Sequence, residues 1–300
     1  MASREVALAV DVGGTKIAAA LVDRRGGVHS LQTVPTGPPG AESLRRASEV
    51  AASVAATAER EGLEIVGTGI GIPELVEDGR ITSDAVVAWT DAGVEEAFSA
   101  YPPIRVETDI YASALAEARL GGGAEEPVSV YVNLGTGISH YLLIEGRPFQ
   151  GQHGRALMSG STRMTVLDTE RNVLVGGCVE DVASGRAISE RYERFSGVSV
   201  SAGEVFERAV ERGGAARLVA DQSIELWGHM VANLVDILDP GLVIVGGGLV
   251  NVPGLIERVG DVARRAVWSD RARETPIVAG TCGPLAGVIG AGLTLLDRVS

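Results

Sequence analysis

Asp11-Val12-Gly13-Gly14-Thr15-Lys16 stands between two short apolar runs, Val6 to Val10 and Ile17 to Val22. Aliphatic runs of strand length on either side of a glycine turn predict a β-hairpin. The second run ends in another turn, Asp23-Arg24-Arg25-Gly26-Gly27. Gly13 and Gly14 carry no Cβ, so backbone N–H groups at the tip are open to phosphate oxygens. Asp11, at the end of its strand, is placed to hold a hydrated Mg²⁺ beside such phosphates. An ordinary hairpin turn would use the same six residues, so the rest of the chain has to decide.

The pattern recurs. Val128 to Asn133 is apolar, Leu134-Gly135-Thr136-Gly137 turns, and Ile138 to Ile144 is apolar again, ending at Glu145-Gly146-Arg147. Asn133 follows Asp11 by 133 − 11 = 122 residues. Two strand–turn–strand units predict a duplicated α/β architecture with a cleft between the halves. The two glycine turns are then expected to grip a triphosphate from both sides. A third turn, Gly246-Gly247-Gly248, follows the strand Leu242 to Val245. Bare backbone there suits a flat adenine or ribose, with close helix–strand packing as the plain alternative.

Between these turns the spacing predicts helices over Glu42–Glu61 and Ile110–Leu120, the latter ended by Gly121-Gly122-Gly123. Strands are expected over Ile65–Ile72, stopped by Pro73, and over Ile104–Glu107. In the second half, Gln150 to Asn172 is polar with few strand signals. Helices are expected over Val179–Arg194, Ala202–Arg212 and Ala216–Leu238, with an amphipathic terminal helix over Leu285–Arg298. The expected division is a first lobe of residues 1–118 plus 285–300 and a second of 119–284.

Composition excludes several classes. Of 300 residues, 45 % are hydrophobic, enough for a real core. The net charge of −13 makes a nucleic-acid or anionic-membrane partner unexpected. Two cysteines, Cys178 and Cys282, cannot form a disulfide framework or an all-thiolate zinc site, and a reducing cytoplasmic setting is expected. No basic leader precedes an apolar segment, and the apolar runs are too short to span a membrane. Glycine is used 40 times, about twice the usual share, mostly in turns after apolar runs. Lys16 is the only lysine and lies inside the first turn.

Taken in order, the Asp-x-Gly-Gly-Thr hairpin, the Leu-Gly-Thr-Gly-Ile turn and the late Asp239-Pro240…Val245-Gly246-Gly247-Gly248 resemble the ROK family of sugar kinases and regulators, over essentially the whole chain. No Walker P-loop is present. The resemblance implies the actin-like, ribonuclease-H-like duplicated fold, α/β in class, with two lobes around a cleft. It implies ATP and Mg²⁺ held by Asp11, Gly13, Gly14, Thr15, Lys16, Gly135, Thr136, Gly137, Gly246, Gly247 and Gly248, with Asp11 reaching the metal through water. It implies a possible homodimer.

Val106-Glu107-Thr108-Asp109 matches the segment that usually reads Glu-Asn-Asp in ROK kinases. The resemblance makes Asp109 the base that takes the proton from the attacking hydroxyl. A helix N-cap aspartate is the alternative. The acceptor pocket departs from the family. Thr108 replaces its asparagine, Met158 a sugar-binding glutamate, and Ser161 a histidine that touches sugar and zinc. Of the family's cysteine motif only Gly177-Cys178-Val179-Glu180 remains, so no structural zinc is expected and Cys178 is expected to be a buried apolar residue. Glu180 matches the last sugar-binding carboxylate, while Thr108, His153 and Asp84 complete the acceptor-side candidates. His140 and Tyr141 replace glycines that often follow the second turn.

A missing hydrogen-bond partner in a pocket costs roughly 1–3 kcal/mol, so a hexose with its full set of hydroxyls is expected to bind poorly. The expected activity is ATP-dependent phosphorylation of a primary hydroxyl on a modified sugar, such as the amino sugar kanosamine, or on a C7-cyclitol of the valienol or valiolone type. A non-catalytic sugar sensor is the second reading, and a related acetate-type kinase or ATPase the third. Repressors of the family carry a winged-helix domain ahead of the first hairpin, which here begins at Val6, so a DNA-binding repressor is not expected.

Overall fold

The computed structural model describes residues 4–154, 156, 159–168 and 172–299, and falls into two compact units. The first comprises Met1–Ala124, Gly146–Ala156 and Cys282–Ser300; the second comprises Glu125–Glu145 and Leu157–Thr281. The break expected near residue 118 lies at 124, and residues 146–156, expected in the second half, pack with the first unit.

In the first unit the hairpin forms as the glycine turn dictates. β1 (Arg4–Val12) pairs antiparallel with β2 (Lys16–Asp23), which pairs with β3 (Val28–Pro35). Helices α1 (Ala41–Ala55) and α2 (Ala58–Glu61) lead to β4 (Leu63–Ile72). A two-residue ribbon, β5 (Val76–Glu77) with β6 (Arg80–Ile81), precedes α3 (Asp91–Ala97), β7 (Ile104–Thr108) and α4 (Asp109–Leu120). The sheet order is β3-β2-β1-β4-β7, with β1, β4 and β7 parallel.

The second unit repeats this order. β8 (Val128–Leu134) and β9 (Ile138–Ile144) make the hairpin. A short β10 (Arg147–Pro148) follows, and it belongs to the first unit, where it packs on α4. An antiparallel ribbon, β11 (Arg163–Asp168) with β12 (Val173–Cys178), then leads to α5 (Val179–Ala183), α6 (Gly185–Ser196), α7 (Ala202–Glu211) and α8 (Gly214–Leu238). β13 (Leu242–Gly246), α9 (Leu255–Ala266) and β14 (Ile277–Ala279) finish the unit. Its order β9-β8-β13-β14 matches β2-β1-β4-β7: one antiparallel hairpin, then two parallel neighbours. The expected duplicated α/β fold is present.

Each unit has its own core. In the second, α8 runs through the centre: Trp227 is fully buried, stacks on Phe206 at 5.8 Å, and donates its indole N–H to Ala183 O at 3.0 Å. In the first, α10 (Ala286–Leu296) lies against α4 and the sheet, and every one of its residues is buried. The terminal helix is therefore buried all round, where the sequence pattern predicted an amphipathic one. Its glycines make the approach possible. A Cβ on Gly290 would stand 1.7 Å from Ala112 O, and one on Gly69 of β4 would stand 1.9 Å from Ala291 O. Side chains at these positions would push whole elements apart.

Other differences have local causes. The helix expected over 179–194 breaks at Ser184, whose extended backbone lets its hydroxyl cap α6 by accepting the Ala187 N–H. The polar stretch 150–172 holds β11, whose side chains Arg163 and Thr165 are exposed, so no apolar alternation announced it. β3, α3, α9 and β14 were not anticipated.

Candidate active site

The parallel strands β1, β4 and β7 end at one edge of the first sheet. Asp11 pairs with Gly71, and Ile72 with Thr108. Asp109 is the first residue of α4. The cap of that helix is Thr108, whose hydroxyl oxygen accepts the Tyr111 N–H at 3.0 Å. Asp109 is thereby released from the capping role; its Oδ1 accepts the adjacent Ile110 N–H at 2.8 Å. Gly71 separates the two aspartates: a Cβ there would come to 3.4 Å from Asp109 Cα and 3.8 Å from Asp11 Oδ1.

Burial, and next the Asp11 charge, push the Asp109 carboxyl up to about 7. Burial likewise raises Asp11 to about 6, with Lys16 pulling it back down. Both side chains are half-buried, with their carboxylates set where water solvates them poorly. A carboxyl held near neutrality beside another is a proton acceptor at physiological pH. Asp11 also lies against the start of α10: a Cβ on Gly287 would sit 2.4 Å from Asp11 Oδ2.

The first glycine turn is closed by Gly13 N–H donating to Lys16 O at 2.9 Å. Thr36 pins it: its hydroxyl donates to Gly13 O at 2.7 Å and its N–H to Thr15 O at 3.0 Å. Gly14, Thr15 and Lys16 are exposed. Thr36 sits just past the unanticipated β3, and no sequence signal pointed to it.

Glu74 was also missed. It is buried, yet its carboxylate accepts the Ser83 hydroxyl at 2.5 Å and the N–H groups of Ala85, Val86, Val87 and Ala88 at 2.7–3.1 Å. These bonds hold its carboxyl below the usual range despite burial. The loop 83–88 is wrapped around one anion. It carries the exposed Asp84, and Val86 lies over Gly14, 3.7 Å from where a Cβ there would be. A Glu directly after a Pro at a strand end was the available signal.

The acceptor-side loop 150–154 is tied to the same unit. Gln150 Nε2 donates to Glu107 Oε2 at 3.1 Å, and Gly154, at φ +71°, lies over Val76 O. His153 is exposed. Met158, with Arg155 and Leu157, lies outside the described residues.

In the second unit, Gly135 N–H donates to Gly137 O at 3.1 Å. The N-terminus of α6 docks on this turn, Gly185 N–H donating to Gly135 O at 2.8 Å. Glu180, expected on the acceptor, accepts the Ile138 N–H through Oε2 at 2.8 Å, and so fixes the far side of the turn. Thr136 is exposed at its tip. Gly246 and Gly247 serve packing: a Cβ on Gly246 would meet Tyr131 Oη at 2.2 Å, and one on Gly247, at φ +91°, would meet Leu134 O at 2.4 Å. Gly248 faces open space, and next to it a groove of about 490 Å³ runs along residues 250–257, Arg264 and 277–279.

Tyr141 is fully buried opposite Tyr131, and His140 is half-buried opposite Val132. Cys178 is partly exposed, with Sγ 3.4 Å from Ser161 O, where a buried apolar role was expected. Among the described residues no three His, Cys, Asp or Glu side chains gather as a metal cluster, and no helix is long and apolar enough to cross a membrane.

The ROK family pattern matches residues 7–298. A glucokinase of Streptomyces coelicolor is 30 % identical, with 95 % of each chain covered. An N-acetyl-D-glucosamine kinase of Shigella flexneri is 29 % identical, covering 84 % of this chain and 86 % of that one. Among solved structures, a ROK family glucokinase from Streptomyces griseus, in complex with glucose and AMPPNP, superposes with a TM-score of 0.79 at 27 % identity, covering 98 % of this chain and all of the other.

Proposed function

The chain belongs to the ROK family, and on that footing we propose that it transfers the γ-phosphoryl group of ATP to a primary hydroxyl of a sugar-like polyol. The observation that carries this reading is the Asp11–Asp109 pair, with Asp109 held near neutrality and excused from capping its helix. Asp109 accepts the hydroxyl proton as the O–P bond forms and the bond to ADP breaks; the products are the phosphorylated acceptor, ADP and protonated Asp109. Backbone N–H groups of the Gly13–Thr15 and Gly135–Gly137 turns, with the Lys16 ammonium, bind phosphate oxygens. Gly248 and its groove take the adenosine.

The donor chemistry fits Mg²⁺: the Asp11 charge raises the proton affinity of Asp109, and a divalent cation beside Asp11 would relieve that repulsion. Asp11 would hold the ion through water, and the ion would neutralise charge on the phosphates.

The acceptor is a modified sugar or a C7-cyclitol. Support comes from how few polar groups among the described residues remain for hydroxyls. Thr108 Oγ1 is committed to Tyr111 N–H and Glu180 Oε2 to Ile138 N–H. Asp84 and His153 are exposed and remain acceptor candidates, with Glu180 through its other oxygen. An ADP-release assay with Mg-ATP against glucose, N-acetylmannosamine, kanosamine, valienol and 2-epi-5-epi-valiolone tests this. The expected result is the highest kcat/KM on an amino sugar or a cyclitol. Highest turnover on glucose would overturn the acceptor assignment and leave the kinase.

A further inference from the structure

Beside the strand–helix junction that carries Asp109, the first unit contains a polar cavity. It is small, about 70 Å³, and lined by Arg105, Glu107, Tyr111, Arg147, Thr294, Asp297 and Arg298, with Leu115 as its apolar wall. Four elements meet there: β7, α4, β10 and the end of α10. Three guanidiniums around one cavity are unexpected in a protein of net charge −13. We propose that this cavity is a binding site for a phosphate-sized inorganic oxyanion, held by Arg105, Arg147 and Arg298.

Both carboxylates of the wall are already engaged. Glu107 is buried, with Oε1 bound by Arg105 Nη2 at 2.5 Å and Oε2 by Gln150 at 3.1 Å. Asp297 Oδ1 is bound by Arg119 at 2.7 Å. Arg105 at contact, with Arg298 farther off, offsets Glu107, and Arg119 offsets Asp297. The Arg147 and Arg298 guanidiniums have no ion pair or hydrogen bond among the described residues. Thr294 donates its hydroxyl proton to Gly290 O, so it offers the cavity an acceptor only.

Guanidiniums in this arrangement favour a tetrahedral oxyanion over chloride, because several N–H groups bond separate oxygens. The volume admits phosphate or sulfate and excludes a nucleotide. Bound there, the ion would tie Arg147 on β10 and Arg298 after α10 to the junction that ends in Asp109.

Inorganic phosphate is the probe, titrated calorimetrically into the whole protein at constant ionic strength, with chloride as the control. The glycine turns also suit phosphate, so the variants separate the two sites. One phosphate is expected in the cavity, weakened at least tenfold by Arg147→Ala and by Arg298→Ala, and unchanged by Lys16→Ala. Both arginines are exposed, so the fold tolerates their loss. Binding lost in Lys16→Ala and retained in both arginine variants would place the ion in the turn and overturn the proposal. So would the absence of any phosphate effect beyond that of chloride.

Discussion

At the scale of single residues the account rests on what holds each carboxylate. Asp109 must be ionised to accept a proton, and its carboxyl is raised to about 7. The value of kcat/KM should therefore fall tenfold per pH unit below about pH 7 and level off above it. A pH–rate profile checks this, and an acid limb near pH 4 would contradict it. Stability carries the opposite sign. A carboxyl raised in the folded state binds its proton more tightly there than in the unfolded chain, so its contribution is full below the unfolded value and is lost as pH rises through about 7. Asp109→Asn should then raise the melting temperature at pH 8, with the gain shrinking by pH 5. Glu74 works differently. Replacing one of its oxygens in Glu74→Gln leaves at least one loop N–H, that of Ala85, facing an amide NH₂. The cost should be about 1–3 kcal/mol by denaturant unfolding. The KM for the acceptor should rise several-fold, and by more than the KM for ATP, whose turn Val86 overlies; equal effects on both would deny the loop an acceptor role. Asp11, Asp109 and the glycines of both turns were named from short motifs, and the fold sets the aspartates at strand and helix ends and the glycines in hairpin turns. Thr36 and Glu74 were not, because their partners are backbone groups distant in sequence or in loops with no motif. Thr108 and Glu180 were named for the acceptor, and the folded chain shows Thr108 as a cap and one Glu180 oxygen as a brace for the second turn.

At the scale of elements, the first sheet owes its precision to close contact with α10. Gly69 and Gly290 let helix backbone meet β4 and α4 with no side chain between them. Gly69→Ala should destabilise the protein by about 1–3 kcal/mol or more, since the atom it would strike is backbone and cannot rotate away. Gly248→Ala is the matched control: nothing lies within 4 Å of its Cβ, so stability should be unchanged. Differential scanning calorimetry of both variants decides the point. The same contacts explain a misreading. Helix α10 was expected to show an amphipathic face, and it is buried on every side because strands and α4 surround it. Strands with strong apolar runs, β1, β4, β8 and β13, were found where periodicity placed them. β11 and α9 were not. The first exposes polar side chains, and the second, Leu255–Ala266, mixes five charged residues among its apolar ones.

At the scale of the whole molecule, two units with the same strand order each present a glycine turn braced from behind. Thr36 does this in the first unit, and Glu180 with the α6 N-terminus in the second. The duplication was readable from two motifs 122 residues apart, since a hairpin followed by parallel strands repeats its turn chemistry when it repeats its topology. The unit boundaries were less readable: residues 146–156 return to the first unit through contacts with Glu107 and Val76 that no local pattern encodes. The central claim is that this fold moves a phosphoryl group, with Asp109 as the base. The most direct measurement follows transfer of labelled γ-phosphate from ATP to a panel of sugars and cyclitols, by wild type and by Asp109→Asn. The account predicts a phosphorylated acceptor in the wild type, and a rate lower by about 10²–10⁴ in the variant with ATP still bound. Equal transfer by both proteins, or nucleotide binding with no phosphorylated product from any acceptor, would contradict it.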